Sequence, residues 1–194
     1  GCTFPSVIKK GIVYTAANVD DSWIGVNGAR LLESKTGCPV LLMNDADAAG
    51  LAEMRYGAGK KRKGVVFLLT FGTGIGSAVF VDGVLMPNTE LGHMNLMCGP
   101  RGGVEAEEYA SDRIRKGEKL SWSDWAARVN DLLAVLEFLF SPDLFVLGGG
   151  VSKKYQKYLA LLDTRADVVP AKLLNDAGIV GAALAAKSLP GKPA

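Results

Sequence analysis

The sequence predicts an α/β fold built on a mixed β-sheet, and three features predict it. An apolar run of strand length, Val40-Leu41-Leu42-Met43, passes through polar residues straight into an alanine-rich helical stretch. Two alternating β-rich runs are closed by Asp82-Gly83, a strong two-residue hairpin signal. Beyond that hairpin, helical patterns and buried strands alternate to the end of the chain. The 194 residues, 48% of them hydrophobic, suffice for one ordinary domain or two small lobes with a real core.

Taken in order, Thr3-Phe4-Pro5-Ser6 marks the end of a strand, because Pro5 lacks an N–H and biases Phe4 toward extended geometry. A turn at Lys9-Lys10-Gly11 leads into a short β-like run over 12–14. Residues 26–36 read as a helix with Gly37 as its C-terminal cap. The run Val40-Leu41-Leu42-Met43 suits a strand buried on both faces, as in a parallel sheet. Either Asn44 or Asp45 can cap the helix that follows over 46–56. The basic loop Lys60-Lys61-Arg62-Lys63 marks the boundary between a first lobe, 1–63, and a second, 64–194. Strands are expected over 64–71, 75–81 and 84–86, with Gly72-Thr73-Gly74 turning between the first two. Helices follow at about 105–116 and 122–140. The second is apolar nearly all round and is expected to be buried. Residues 143–147 form another buried strand, broken by Gly148-Gly149-Gly150, and a helix is expected over 152–162. Val168 and Val169 precede Pro170, and a last helix over about 177–187 is placed to pack back on the first lobe.

Composition removes several function classes. The 24 glycines have no three-residue period, which excludes collagen, and no Ser/Pro-rich tract suggests wholesale disorder. Lys and Arg total 22 against 20 for Asp and Glu, so there is no global pull toward nucleic acid or an anionic membrane. The longest apolar stretch, 132–140, contains Glu137 and is too short to span a bilayer, and no signal peptide opens the chain. Cys2, Cys38 and Cys98 are odd in number and widely spaced, which agrees with a reducing, cytoplasmic setting and supports no disulfide framework. His93 is the single histidine, so one subunit offers no multi-histidine metal site.

Two glycine turns carry the first hint of chemistry. Gly72-Thr73-Gly74-Ile75-Gly76 invites a dinucleotide-binding reading, but such a fingerprint must open a helix, and residues 75–81 continue as strand. It is either a plain tight hairpin or an anion nest of backbone N–H groups to which the Thr73 hydroxyl adds a donor. Leu147-Gly148-Gly149-Gly150-Val151-Ser152 runs from a strand through glycines into an expected helix, which brings a helix N-terminus and bare backbone to the carboxyl end of a sheet, where α/β folds bind ligands. Asp45, directly after a buried strand, either only caps its helix or accepts a proton from an alcohol held for in-line attack. Glu90 and His93 lie in Asn88-Thr89-Glu90-Leu91-Gly92-His93. One carboxylate and one imidazole do not close a zinc site, and these side chains more naturally hydrogen-bond sugar hydroxyls, the alternative being a satisfied buried histidine. Lys60, Lys61, Arg62 and Lys63 are either a solvated loop or a docking strip for a polyanion.

Together these segments resemble the ROK sugar-kinase family, and within it the branch that uses polyphosphate. The resemblance is carried by Thr3-Phe4-Pro5, Asn44-Asp45-Ala46-Asp47-Ala48-Ala49-Gly50, the segment 69–78 around Gly72-Thr73-Gly74, Asn88-Thr89-Glu90-Leu91-Gly92-His93, the segment 141–152 around Gly148-Gly149-Gly150, and 175–183, all in family order. It implies a two-lobed actin-like (ribonuclease-H-like) kinase fold with glucose between the lobes. By that analogy Asp45 is the catalytic base on the sugar 6-hydroxyl, and Asn44, Glu90 and His93 hold other hydroxyls. Gly72, Thr73 and Gly74 form a phosphate loop, while Gly148, Gly149 and Gly150 face the nucleoside or polyphosphate chain. The implied reaction moves a phosphoryl group from inorganic polyphosphate or ATP to glucose, with Mg²⁺ accompanying the donor, in a protein that is commonly a homodimer. A non-catalytic sugar-binding or regulatory remnant is the alternative. Three departures stand out. Residues 95–107 hold only Cys98, which predicts no zinc. The family's Asp-x-Gly-Gly-Thr hairpin should precede Gly1, so the first lobe is expected to be incomplete, with unpaired edges near 1–13 and 40–43. Ser6 stands where the family usually has glycine, a hydroxyl expected to narrow the sugar pocket.

Overall fold

The structure, a computed structural model, describes residues 1–17, 19–97 and 103–189. The chain opens with β1 (Cys2–Phe4), which ends at Pro5. Lys10 and Gly11, both at positive φ, turn β2 (Ile8–Lys9) into β3 (Ile12–Val13), the turn geometry whose twist matches that of a hairpin. Helix α1 (Gly28–Thr36) starts at Asn27, whose side chain accepts from the Arg30 N–H, and stops at Gly37 in the left-handed region (φ 64°). Strand β4 (Leu42–Asn44) runs parallel to β1 with Asn44 opposite Phe4, and passes without a loop into α2 (Asp45–Tyr56). Among the described residues β1 and β4 pair only with each other. Ile8, Val13 and Leu42 make the small core here, with Phe4 and Trp23 packed against it.

The larger sheet begins with β5 (Val65–Phe71), β6 (Ile75–Val81) and β7 (Val84–Met86), an antiparallel meander. A small ladder of β8 (Asn95–Leu96) and β9 (Val104–Glu105) leads to α3 (Ala106–Ala110), α4 (Asp112–Gly117) and α5 (Trp122–Phe140). Then β10 (Leu144–Gly149) and β11 (Asp167–Pro170) add to β5 in parallel, giving the order β11-β10-β5-β6-β7, the mixed sheet expected. Strands β5 and β10 are continuous apolar runs because both faces are covered. Phe67, Leu69, Phe71, Phe145 and Leu147 pack on the α5 side with Trp125, Val129 and Leu132. Val66, Leu68, Phe80 and Val146 pack on the other face, against Ala49, Leu51 and Met54 of α2. The last helix, α6 (Ala177–Ala186), lies against α2 and β1. Gly181 permits this approach, since a Cβ there would fall 1.7 Å from the Ala48 carbonyl oxygen.

Three expectations need correction. The helix expected over 105–116 is two short ones, because Ser111 adopts extended backbone (φ −65°, ψ 160°) and its hydroxyl accepts from the Ile114 N–H to start the second. The helix expected over 152–162 is a pair of 3₁₀ segments, Gly150–Lys157 and Leu159–Leu161, with Lys154 outside helical geometry (φ −122°, ψ 25°). Burial of Tyr158 accounts for the bend: its ring stacks on Trp122 at 5.6 Å and meets Trp125 edge-on at 5.0 Å. Tertiary packing overrides helix propensity at this point. Helix α5 buries one face only, and Phe138, Leu139 and Phe140 at its end are exposed.

Candidate active site

The carboxyl ends of β1, β4, β5 and β10 converge on a cleft of about 330 Å³. The register of the large sheet aligns the two glycine turns, because Gly149 pairs with Phe71 and Gly148 with Thr70. Gly72 therefore follows the residue opposite Gly149. Gly149 has φ 78°, and a Cβ on it would lie 2.4 Å from the Phe71 carbonyl oxygen, so no larger residue fits this junction. The Gly72-Thr73-Gly74 turn is held from behind by α4: the Arg113 N–H donates to Gly72 O at 3.1 Å, and its Nε donates to Thr73 O at 3.0 Å.

Opposite this turn stands the start of α2. Asn44 caps the helix, its Oδ1 accepting from the Ala46 and Asp47 N–H groups at 2.8 and 3.1 Å. Its Nδ2 donates to Ser6 O and toward Glu90 Oε1 at 3.4 Å. With Asn44 as the cap, Asp45 is left exposed on the cleft wall, bonded only through Oδ1 to the Ala46 N–H and with no cationic partner among the described residues.

The third wall is the segment that follows β7. Asn88 bridges the two parts of the chain: its Oδ1 accepts from the Ile8 N–H and its Nδ2 donates to Ile8 O, while its own N–H donates to Asp47 Oδ2. The Ser77 hydroxyl donates to Thr89 O and accepts from the Leu91 N–H, pinning the turn that carries Glu90 and His93 to β6. Burial pushes the Glu90 carboxyl up from its ordinary pKa. His93 opposes this, while Asp45 and Glu107 reinforce it. His93 is pushed up as well, first by its hydrogen bond to Glu105, against the effect of partial burial, with Glu107 and Glu90 adding attraction. Its Nδ1 lies 3.0 Å from Glu105 Oε2, and its Nε2 lies 3.7 Å from Glu90 Oε2. Glu107, on α3, completes the cleft and accepts from the Ile75 N–H at 3.2 Å. His93, Glu105 and Glu107 each bring one ligand atom within 4.8 Å of the others, but the imidazole Nδ1 is already engaged by Glu105.

Residues 1–116 match the ROK family. The chain belongs to the ROK family. It is 52% identical over 186 residues to the polyphosphate glucokinase of Mycobacterium tuberculosis (strain ATCC 25618 / H37Rv), a match covering 95% of this chain and 68% of that protein. The polyphosphate glucokinase of Mycobacterium leprae is 50% identical, with 95% and 56% covered. Among solved structures, the inorganic polyphosphate/ATP-glucomannokinase of Arthrobacter sp. strain KM superposes with a TM-score of 0.89 at 50% identity, covering 94% of this chain and 70% of that one. A ROK family glucokinase from Streptomyces griseus, in complex with glucose and AMPPNP, gives 0.78 at 25% identity, with 95% and 80% covered. The fold is thus the actin-like fold of ROK sugar kinases, and the chain is a kinase of that family.

Of the residues singled out from sequence, Asn44, Asp45, Gly72, Thr73, Gly74, Glu90, His93 and Gly149 line this one cleft of the ROK fold. Gly148 and Gly150 flank Gly149 on the same strand end. Lys60, Lys61, Arg62 and Lys63 do not join them. They precede β5, at the amino ends of β5, β10 and β11, and Arg62 is ion-paired there with Asp167 at 3.0 Å. The length of β5 puts about 20 Å between that strip and the glycine turns. Ser6 does not narrow the cleft: it is buried, its hydroxyl donates to Thr15 O at 2.6 Å, and Pro5 and Thr15 form the wall instead. Cys98, on which the expected lack of a zinc motif rests, lies outside the described residues. Glu107 carries no distinguishing signal in the sequence, being one of three glutamates between 105 and 108 that no local pattern separates.

Proposed function

We propose that this chain transfers a phosphoryl group from inorganic polyphosphate or ATP to the 6-hydroxyl of glucose. The observation that carries the reading is Asp45: an exposed carboxylate with no cationic partner among the described residues, in one cleft with the glycine turns and with Glu90, His93 and Glu107. The half-identical relatives named for glucose and polyphosphate support the substrates.

The hydroxyl-binding side is Glu90, His93 and Glu107, with Asn44 holding Glu90 in place. Asp45 then accepts the proton of the 6-hydroxyl as its oxygen attacks the terminal phosphorus. The new O–P bond forms as the bond to the leaving phosphate chain breaks. The Gly72 N–H is taken up inside the turn by Gly74 O at 3.0 Å, so the N–H groups of Thr73 and Gly74 with the Thr73 hydroxyl face the donor phosphates, and Gly149 leaves room for the chain or nucleoside beside them. Mg²⁺, carried in with the donor, supplies charge neutralisation on the phosphates. The oxygen-bearing wall that Asp45 shares with Thr70 and Thr73 would suit a cation that keeps phosphate and water as its ligands, leaving Asp45 Oδ2 for the 6-hydroxyl proton. The protein works as a cytoplasmic homodimer in this reading, the exposed Phe138, Leu139 and Phe140 offering apolar surface for a second copy.

The test is glucose 6-phosphate formation by the full chain with glucose, Mg²⁺ and either donor. Asp45→Asn should lower turnover by about 10²–10⁴-fold while leaving glucose binding intact. Glucose binding without turnover in the unaltered chain would instead support a sugar-binding remnant, and no glucose binding in a folded sample would reject the site.

A further inference from the structure

The cleft accounts for His93 but not for the carboxylate behind it. Glu105 is outside the cleft wall and half exposed, yet its Oε2 lies 3.0 Å from His93 Nδ1, on the ring edge opposite Nε2, which faces Glu90. The backbone holds Glu105 in that place. Asn95 pairs with Glu105 and the fully buried Leu96 with Val104, and the Ala106 N–H donates to Met94 O at 2.9 Å, so the strand carrying Glu105 is laddered to the segment leaving His93. We propose that Glu105 is a positioning residue for sugar binding: it holds the proton of His93 on Nδ1, fixes the ring plane and presents Nε2 to a sugar hydroxyl.

The chemistry follows from the donor inventory. An ionised carboxylate only accepts, so the nitrogen facing Glu105 must carry hydrogen, and in the neutral ring Nε2 is then the acceptor. When the ring is protonated, Nε2 becomes a donor beside the acceptor carboxylates Asp45, Glu90 and Glu107 of the same cleft. Both forms need the ring in one orientation, and the Glu105 contact selects it. The charged groups facing the imidazole are Glu90 from its own turn, Glu105 from β9 and Glu107 from α3. Glu107 is less well placed to fix the ring, at 3.8 Å from Nδ1 and engaged with the Ile75 N–H. The arrangement resembles a carboxylate orienting a catalytic or ligating imidazole through its second nitrogen.

The role of Glu105 rests on the sugar-binding reading of the cleft, and one feature lets the two be tested apart. His93 is the single histidine of the chain, so ¹⁵N imidazole NMR of the full chain reports its tautomer and titration without assignment. Without sugar, the expected result is the Nδ1–H tautomer above the ring's titration, which Glu105→Ala converts largely to Nε2–H with a lowered midpoint. Glu105→Gln keeps an acceptor oxygen, so the Nδ1–H tautomer is retained while the midpoint falls. Glu105→Ala should also raise the glucose KM about tenfold with kcat changed far less, and Glu105→Gln should recover most of that affinity. An Nε2–H tautomer in the unaltered chain, or ring signals and KM unchanged by Glu105→Ala while glucose still binds, overturns the role of Glu105 alone. Ring signals that ignore saturating glucose overturn the sugar site and this role with it.

Discussion

Asp47 provides a direct test of how the helix that begins at Asp45 is built. Its side chain is buried, 2% exposed, with Oδ2 accepting from the Asn88 N–H at 2.8 Å and Oδ1 without a partner among the described residues. Burial outweighs that hydrogen bond and pushes its pKa from 3.8 up to about 6, and the neighbouring Glu90 and Asp45 add repulsion. The folded state therefore keeps this proton where the unfolded chain has released it. The stabilisation is complete below the unfolded value near 3.8, and it is lost as the pH rises through about 6. Holding the carboxylate charged above that range costs about 3 kcal/mol. Asp47→Asn removes the charge and keeps an acceptor for Asn88. It replaces an unpartnered oxygen with an unpartnered amide, whose desolvation takes back about 1 kcal/mol or more. The variant should be about 1–2 kcal/mol more stable than the parent at pH 7.5 and no more stable at pH 4. Urea denaturation of both proteins at pH 4, 5.5 and 7.5 measures the difference. An increment that is the same at pH 4 as at pH 7.5, or a loss at pH 7.5, would refute the account of Asp47 as a buried charge.

Other consequences are as specific. Gly149→Ala places a Cβ 2.4 Å from Phe71 O and 2.7 Å from Phe71 N at a positive φ, so it should cost about 2–4 kcal/mol, measured by denaturant melts. Gly181→Ala drives a Cβ to 1.7 Å from Ala48 O and should lever α6 from α2, lowering the thermal midpoint by several degrees, about 2 kcal/mol. Replacing Lys60, Lys61 and Lys63 by alanine should leave ATP-dependent turnover within about twofold, since charges at the far end of β5 are screened from the cleft. A loss of ATP turnover matching that of Asp45→Asn would contradict the placement.

Much of this arrangement was legible in residue types with local consequences. A cap at Asn44 or Asp45, Gly37 as stop and Asp82-Gly83 as hairpin all act within a few residues of themselves, and the structure resolves the first in favour of Asn44. The parallel pairing of β10 with β5 is not readable locally, although the apolar run over 143–147 already marks a buried strand. What escaped was whatever depends on distant partners. Glu105 and Glu107 differ only in which neighbour reaches them: β8 turns one toward Nδ1 of His93, and β6 meets the other at the Ile75 N–H. The bend at Lys154 answers to Trp122 and Trp125, some thirty residues away in sequence. The charge of residues 60–63 is plain in the sequence, but the sheet end they occupy, away from the cleft, is set by partners such as Asp167.

Trp125 links these distant dependencies to the chemistry. Its ring is fully buried and meets Phe71, the residue before Gly72, edge-on at 5.3 Å. Its Nε1 donates to Ala110 O at 2.7 Å, fixing the end of the short helix that carries Glu107. One side chain of α5 thus supports both the Gly72-Thr73-Gly74 turn and the wall of the cleft that carries Glu107. Trp125→Phe keeps an aromatic ring against Phe71, strands the Ala110 carbonyl and leaves a small void, at a cost of about 2–3 kcal/mol. Leu133→Ala, two turns further along the same buried face, costs a similar amount and leaves the Trp125 contacts with Phe71 and Ala110 in place. If α5 acts through Trp125 as a brace, Trp125→Phe should lose kcat/KM for glucose well beyond Leu133→Ala at a temperature where both are folded. The excess should appear with polyphosphate and ATP alike, because the proposed reaction uses Glu107 and the Gly72-Thr73-Gly74 turn with either donor. Equal losses in the two variants would mean that α5 contributes stability alone and that the cleft keeps its geometry without the Trp125 contact.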